Sequence, residues 1–296
     1  ARKKHMANTP NRIGIIGGSG LYNIEGFKSQ RWRTVKTPFG SPSDQLLTGT
    51  LAGREVVFLP RHGREHCIMP SELNYRANIW AMKKLRVEWI VSVSAVGSLQ
   101  KRYRPCDIVL INQFLDRTKQ SAQHTFFGNG IVGHVSMADP FCDELANVVA
   151  AATRKCGATV HEGGTYVCME GPQFSTRAES FFYKDAIDAS VIGMTAIPEA
   201  KLAREAEMCY AILAMGTDYD CWHEEEEDVS VGVVLETLKA NADLANRVIR
   251  QVSGLLPSES DCKCLQAARH AIITNPDAIS PESKTRLSTL YGHYFD

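Results

Sequence analysis

The hexapeptide Thr217-Asp218-Tyr219-Asp220-Cys221-Trp222 sets two carboxylates two residues apart, directly after the apolar run Ala211-Ile212-Leu213-Ala214-Met215. Such a run reads as a buried strand that delivers acidic side chains to its carboxyl end, the edge at which open α/β sheets bind ligands. An ionised carboxylate accepts hydrogen bonds and a protonated one donates, so an adjacent pair suits the amino group and ring nitrogen of a 6-aminopurine edge. A solvated turn or a metal clasp fits the pair alone as well, because Asp is a common turn former.

Two further segments offer anion-binding chemistry. Gly14-Ile15-Ile16-Gly17-Gly18-Ser19-Gly20 is a glycine-rich turn straight after a strand-like run. Its glycines let backbone N–H groups approach an anion, and Ser19 adds a hydroxyl. The acidic ribose partner of a dinucleotide site, expected about 20 residues on, is absent from Arg33-Thr34-Val35-Lys36-Thr37-Pro38, so a phosphate cradle fits better than a nicotinamide site. A tight turn with no ligand is the bland alternative. Leu21 stands where a nucleophile elbow would need glycine. In Pro60-Arg61-His62-Gly63-Arg64-Glu65-His66, Arg61 offers a planar fork for an oxyanion and His62 a second donor. His62 and His66 have the spacing of a helical zinc pair, but Gly63, Pro60 and Pro70 argue for a loop, which makes metal the weaker reading. The stretch from Val91 to Ser98 ends a strand in small hydroxyl residues, and the one from Met169 to Glu179 places Phe174 to meet a planar ring.

The elements that must hold these groups alternate between short β-branched runs and amphipathic stretches, which implies an α/β sheet with helices on its faces. Strands are expected at Ile13–Ile16, Val56–Leu59, Trp89–Val93, Ile108–Ile111, Tyr166–Met169, Val191–Ile192 and Ala211–Met215. Helices are expected over Asn74–Leu85 with Ser71 as a candidate cap, over Phe141–Cys156, from Pro198 through Glu207, and over Val229–Val252. No Pro/Gly/Ser-rich linker divides the chain, so residues 11–296 are expected to form one domain. The tail after Leu255 is less patterned and reads as a docking or partly mobile segment. The opening Ala1-Arg2-Lys3-Lys4-His5-Met6 reads as an expression remnant in a disordered N-terminus, residues 1–10, outside the fold.

A chain of 296 residues, 44% apolar and 22% charged, is sufficient for a large core. Its 33 basic and 33 acidic residues balance, which argues against a nucleic-acid partner and for a small-molecule one. No run of eighteen apolar residues suggests a membrane span. Nine cysteines without a disulfide framework place the protein in the reducing cytosol, with the nucleus as a second compartment. Cys262-Lys263-Cys264 has no second cluster in the sequence to complete a zinc site and reads as surface thiols.

Taken together, Gly14–Gly20, Arg61–His66, Glu170–Glu179, Met194-Thr195 and Thr217–Trp222 resemble the motif set of the purine nucleoside phosphorylase family, trimeric type, and most of all its branch that cleaves 5′-methylthioadenosine. Coverage runs from about Ile13 to about Val252. The resemblance implies a single domain with a twisted mixed β-sheet, partly barrel-like, flanked by helices. It also implies a homotrimer with sites at subunit interfaces, no metal or organic cofactor, inorganic phosphate as co-substrate, and a place in purine and methionine salvage. Carried over by position, it assigns Ser19, Arg61, His62, Ser94, Ala95 and Thr195 to phosphate, Met194 to the ribose, and Asp218 and Asp220 to the purine as catalytic residues. Phe174 would pack on the base, and His66, Val231 and Val234 would line the methylthio pocket with His134 from a neighbouring subunit. Ser19 and Ser94 stand where close relatives often carry Thr, and the tail has no clear counterpart to the family's closing helix.

The chemistry implied is phosphorolysis of an N-glycosidic bond. Phosphate meets the positive charge that builds on the ribose, and Asp218, with its pKa raised by burial beside Asp220, protonates the leaving purine. A 6-oxopurine phosphorylase, a nicotinamide-dependent oxidoreductase and a non-catalytic nucleoside-binding module are the alternatives, the first disfavoured by the two aspartates.

Overall fold

The segment Val87–Ser98 is a twelve-residue strand, longer than the apolar run around Trp89 suggests, and three other strands pair with it. It continues past Val93 through Ser94, Ala95, Gly97 and Ser98, small residues that leave room for partners on the far side. The computed structural model describes residues 12–22, 24–120, 123–223 and 231–295; within these, the side chains of Ser19, Tyr22, residues 231–236 and Leu238 are not described. The expected N-terminal remnant and the first two residues of the helix expected from Val229 therefore lie outside the described residues.

Among the described residues eleven strands join in one sheet. They are β1 (Arg12–Gly17), β2 (Lys28–Arg33), β3 (Leu46–Leu51), β4 (Arg54–Pro60), β5 (Val87–Ser98), β6 (Ile108–Leu110), β7 (Gln113–Asp116), β8 (Val160–Glu162), β9 (Thr165–Cys168), β10 (Val191–Gly193) and β11 (Cys209–Asp218). The helices are α1 (Tyr75–Lys84), α2 (Asp143–Lys155), α3 (Arg177–Phe181), α4 (Glu199–Glu205), α5 (Val231–Leu255) and α6 (Pro281–Tyr291). The order β2-β3-β4-β1-β5 builds an open wing, and β5 then forks: β11 runs parallel to it along most of its length, while β10 pairs antiparallel with its last residues. From β11 the pairing passes to β6 and β8, and from β10 to β9 and β7. Only Gly163 and Gly164 separate β8 from β9, so the path β5–β11–β6–β8, then β9–β10–β5, returns to its start. This closure is the barrel-like part of the mixed sheet.

Period-two alternation sorts the central strands between two cores. Tyr210, Ile212 and Ala214 of β11 face the core that receives α1, α4 and α6, while Cys209, Ala211, Leu213 and Met215 face the core that receives α2 and α5. Both sets are buried, which explains why this strand reads as a continuous apolar run.

Three expectations need correction, and for the tail one of two alternatives is met. The cap of α1 is Asn74, whose side chain accepts from the Ala77 amide at 3.1 Å; Ser71 belongs to a separate short turn before it. The strands β2, β3, β7 and β8 were not expected: β2 lies at the sheet edge with five of its six residues exposed and carries Lys28, Arg31 and Arg33 rather than an apolar stripe, and β7 and β8 are only four and three residues long. For the tail the structure shows the docking alternative: Ala268, Ala271, Ile279, Leu287, Leu290 and Tyr291 are buried in the first core, and the Tyr291 hydroxyl donates to the Glu205 carbonyl at 3.0 Å. Finally, Cys262 and Cys264 are buried rather than surface thiols, and Cys142 and Cys209 lie against them.

Candidate active site

The carboxyl ends of β1, β4, β5 and β11, with the loop after β10 and the inner face of α5, enclose a cavity of about 740 Å³. One lobe gathers hydrogen-bonding groups suited to an oxyanion. The glycine turn contributes Gly18 and Gly20, and the Gly17 carbonyl accepts from the Arg61 amide at 2.9 Å, which ties this turn to the loop after β4. The hydroxyls of Ser94 and Thr195, both buried, lie 3.0 Å apart although 101 residues separate them. Ala95, adjacent to Ser94 on the cavity wall, has only backbone groups to offer.

Arg61 lines this lobe, but its fork is already held by the protein. Nε and Nη2 donate to the two carboxylate oxygens of Glu199 at 3.0 and 3.1 Å, Nη2 also to Ser92 Oγ at 2.5 Å, and Nη1 to the Val93 carbonyl at 3.1 Å. Four of the five guanidinium N–H groups are therefore committed, and the expected bidentate grip on an anion reduces to a charge plus a single donor. Burial alone would lower the Arg61 pKa, yet the fully buried Glu199 carboxylate holds it above the usual range. Glu199 opens α4 and also accepts from Ser92 Oγ and the Tyr210 hydroxyl, each at 2.7 Å.

His62 differs from expectation in the direction of its hydrogen bonding. Its Nδ1 lies 2.8 Å from the Ile68 carbonyl, which can only accept, so Nδ1 carries the proton. Burial, then the Arg61 charge, push its pKa down to about 4, so the ring is neutral and Nε2 presents a lone pair. His62 is thus an acceptor for a protonated phosphate oxygen or a ribose hydroxyl rather than a second donor. Its ring stacks on His66 at 4.6 Å between centroids, and among the described residues no acidic third ligand accompanies the two.

The opposite lobe holds the aspartates. Asp218 Oδ2 accepts from the Thr217 hydroxyl at 2.6 Å and Oδ1 from the Asp220 amide at 2.8 Å, so both oxygens are engaged. Asp220 adopts a left-handed backbone (φ 55°), and its Oδ2 is buried without a hydrogen-bond partner among the described residues. Burial, then the Asp218 charge, raise the Asp220 pKa. The sequence assigns the raised carboxyl to Asp218; in the structure burial raises that of Asp220, and Asp218 accepts from the neighbouring backbone amide and hydroxyl. Gly97 of β5 makes this approach possible, since a Cβ there would come within 3.0 Å of Asp218 Oδ1 and 3.1 Å of Ile192. Trp222 closes the hexapeptide by donating its indole N–H to the Ser98 carbonyl at 2.8 Å.

Met194 and Phe174 line the same cavity. Gly171 has φ 72°, and a Cβ on it would meet the Met194 sulfur at 2.5 Å, so the Glu170-Gly171-Pro172 motif is what lets Met194 seat beneath that loop. Phe174 is 42% exposed at the cavity mouth. His66 also lines the cavity, whereas the Val231, Val234 and Ser19 side chains fall outside the described residues. His134 is exposed and absent from this cavity's wall; its amide donates to the Ala271 carbonyl at 2.9 Å. Sequence reasoning missed Glu199 and Ser92, which hold Arg61, Tyr210, which donates to Glu199, and Asn241 of α5, which donates to the Gly216 carbonyl at 3.2 Å from the cavity wall. The one legible signal was Glu199 itself, an acid after Pro198 at a helix start.

The Phosphorylase superfamily profile matches residues 12–253. An S-methyl-5′-thioadenosine phosphorylase of Geobacter sulfurreducens is 54% identical over 282 residues, 95% of this chain and 98% of that protein. A second, of Koribacter versatilis, is 53% identical over 283 residues, 96% of each chain. Among solved structures, a methylthioadenosine phosphorylase from an Antarctic soil metagenomic library superposes with a TM-score of 0.90 at 49% identity, covering 96% of this chain and 99% of the other. The methylthioadenosine phosphorylase of Schistosoma mansoni in complex with adenine gives 0.82 at 39% identity, covering 88% and 96%. The profile ends before Leu255, but the matches covering 95–96% of this chain extend well beyond it, so the tail has a counterpart in those relatives.

Proposed function

The chain belongs to the phosphorylase superfamily, and on that footing we propose that it splits 5′-methylthioadenosine with inorganic phosphate into adenine and 5-methylthioribose 1-phosphate. The observation that carries this reading is the joining, in one cavity, of an oxyanion lobe (Arg61, His62, Ser94, Thr195) to an acidic lobe (Asp218, Asp220). Relatives at about half identity along almost their whole length carry the activity's name, which favours it over the 6-oxopurine alternative.

In this reading phosphate lies against Ser94, Thr195 and the remaining Arg61 donor, with its own O–H turned to His62 Nε2. It is then both nucleophile and counter-charge for the ribose cation that forms as the glycosidic bond stretches. Met194 packs on the ribose and Phe174 covers the base. The aspartate pair holds one proton between two carboxylates: the charged partner accepts from the purine amino group, and the protonated one relieves negative charge at ring nitrogen 7. Ser19, Ala95, His66, Val231 and Val234 keep their assigned places in this proposal. The whole chain acts as one domain, in the cytoplasm, and no helix of the described residues is long and apolar enough to cross a membrane.

A homotrimer belongs to the same proposal. His134 is exposed away from its own cavity, and next to it Val132 and Ile273, 50% and 67% exposed, form a projecting apolar edge that suits a neighbouring subunit. The deciding experiment incubates the protein with methylthioadenosine, adenosine and inosine, each with and without phosphate. Adenine release that requires phosphate is expected; equal release without it would overturn the reading.

A further inference from the structure

Cysteines from three distant parts of the sequence meet at the end of β11 opposite the aspartates. Cys209 opens that strand and Asp218 ends it, which places the two about 30 Å apart at the usual rise per residue. Cys142 caps α2, accepting from the Leu145 amide at 3.4 Å, and Cys262 accepts from the Cys264 amide at 3.5 Å. All four side chains are at most 4% exposed, and the four sulfurs lie within 4.8 Å of one another, with Cys142 and Cys262 at 3.5 Å. Zinc–sulfur bonds of about 2.3 Å put tetrahedral sulfurs about 3.8 Å apart, so the cluster has the size of a single-ion site.

A core of four neutral thiols would account for the burial alone, since cysteine packs as a small apolar residue. It does not account for Arg204. This guanidinium is buried at the end of α4, and its Nη1 lies 3.5 Å from Cys264 Sγ. Its other hydrogen bonds go to the carbonyls of Asp139 and Phe141, and among the described residues no carboxylate lies within ion-pairing distance of it. A buried cation needs an anion, and among its partners thiolate is the one group able to become one. Backbone and guanidinium donors aimed at sulfur are also the arrangement that steadies metal-bound thiolates.

We propose that Cys142, Cys209, Cys262 and Cys264 bind one zinc ion as a closed tetrathiolate site that clips the C-terminal segment to the start of α2 and β11. Four thiols exchange four protons for one divalent ion, with no change in oxidation state, and Arg204 offsets part of the resulting double negative charge. A closed four-sulfur site leaves no position for substrate, so the ion is structural. The clip holds the segment whose Ala271 and Ile273 pair with His134 and Val132, and so supports the edge assigned above to the neighbouring subunit. It stands independently of the proposed reaction.

The test is metal analysis of the full chain purified without chelator from zinc-supplemented cells. One zinc per chain is expected, and growth in cobalt should give the sulfur-to-cobalt charge-transfer and intense ligand-field bands of a tetrahedral thiolate complex. Cys264→Ser should lose the metal, Cys106→Ser, at an exposed thiol, should keep it, and a strong chelator should speed hydrogen exchange in residues 262–275. Should Cys264→Ser fail to fold, metal content and the cobalt spectrum of the parent chain decide alone. Metal-free protein with these cysteines as thiols, the same cysteines paired in disulfides, or iron in place of zinc would each overturn the assignment.

Discussion

Glu199 grips Arg61 through both carboxylate oxygens, at 3.0 and 3.1 Å, across 138 residues of sequence, and both side chains are buried. The proposed anion site is thereby built on a guanidinium whose orientation is already set by the protein. Truncating Arg61 would strand a buried carboxylate, a loss of about 3–5 kcal/mol in comparable pairs, so Arg61→Ala mixes instability with lost binding.

Glu199→Gln is the more conservative probe, read beside a thermal melt because it leaves the buried Arg61 charge without its carboxylate. It keeps shape and some hydrogen bonding but removes the charge that fixes Arg61. The KM for phosphate should rise by about tenfold or more while the KM for nucleoside changes little, because the lost interaction bears on the anion alone. Steady-state kinetics with each substrate varied in turn reads this; a rise confined to the nucleoside KM would detach Glu199 from phosphate.

The His62 tautomer makes a prediction about anion choice. Phosphate near neutral pH keeps an O–H to donate to Nε2, whereas sulfate carries none and would set an oxygen lone pair against a nitrogen lone pair. Sulfate should therefore compete with phosphate at least about tenfold more weakly than its size and charge suggest. His62→Lys, which turns an acceptor into a donor, should narrow that gap. Inhibition constants for sulfate in parent and variant check it, and an unchanged ratio would place the ring's proton on Nε2.

With Asp220 as the proposed proton donor, its titration should set the alkaline limit of the reaction. Its raised pKa keeps the carboxyl protonated to higher pH than an ordinary aspartate, so the donor is present below that pKa and lost as pH climbs through it. Activity should hold at low pH and fall by about tenfold per unit once the proton is gone. Asp220→Asn keeps a donor that does not titrate, so its kcat/KM, although lower at the optimum, should lose the alkaline limb. A limb that survives unchanged would assign the titration to another group.

Much of this site was legible because its residues sit at strand ends, where apolar runs stop abruptly in Gly, Ser, Arg or Asp. Asp218, Arg61 and Ser94 each follow a run whose burial on both faces leaves a continuous apolar signal. Glu199 was not legible as a site residue, since nothing local shows that an acid at a helix start faces an arginine 138 residues away. Cys142 and Cys209 were illegible for the same reason: each stands alone in sequence, and only the pairing of β11 with its neighbours and the docking of the tail bring them to Cys262 and Cys264. The His62 tautomer depends on one carbonyl six residues on, a contact made by the turn of the loop and not by residue type.

The sharpest prediction concerns Asp218, whose two oxygens already accept from the Thr217 hydroxyl and the Asp220 amide. Asp218→Asn replaces one acceptor with a donor, so one of these contacts must turn away, and the amide N–H becomes available to a purine 6-oxo oxygen that a carboxylate would repel. The ratio of kcat/KM for inosine to that for adenosine should therefore rise in the variant. Sites built on one specific hydrogen bond discriminate by up to about 10⁴-fold, but Asp220 remains and still favours the amino group, so the shift should be smaller, roughly 10–100-fold. Both ratios are measured at saturating phosphate, which removes any change in the oxyanion lobe from the comparison. A ratio that stays at the parent value, in a variant with unchanged phosphate KM, would mean that Asp218 shapes the turn around Asp220 without reading the purine edge.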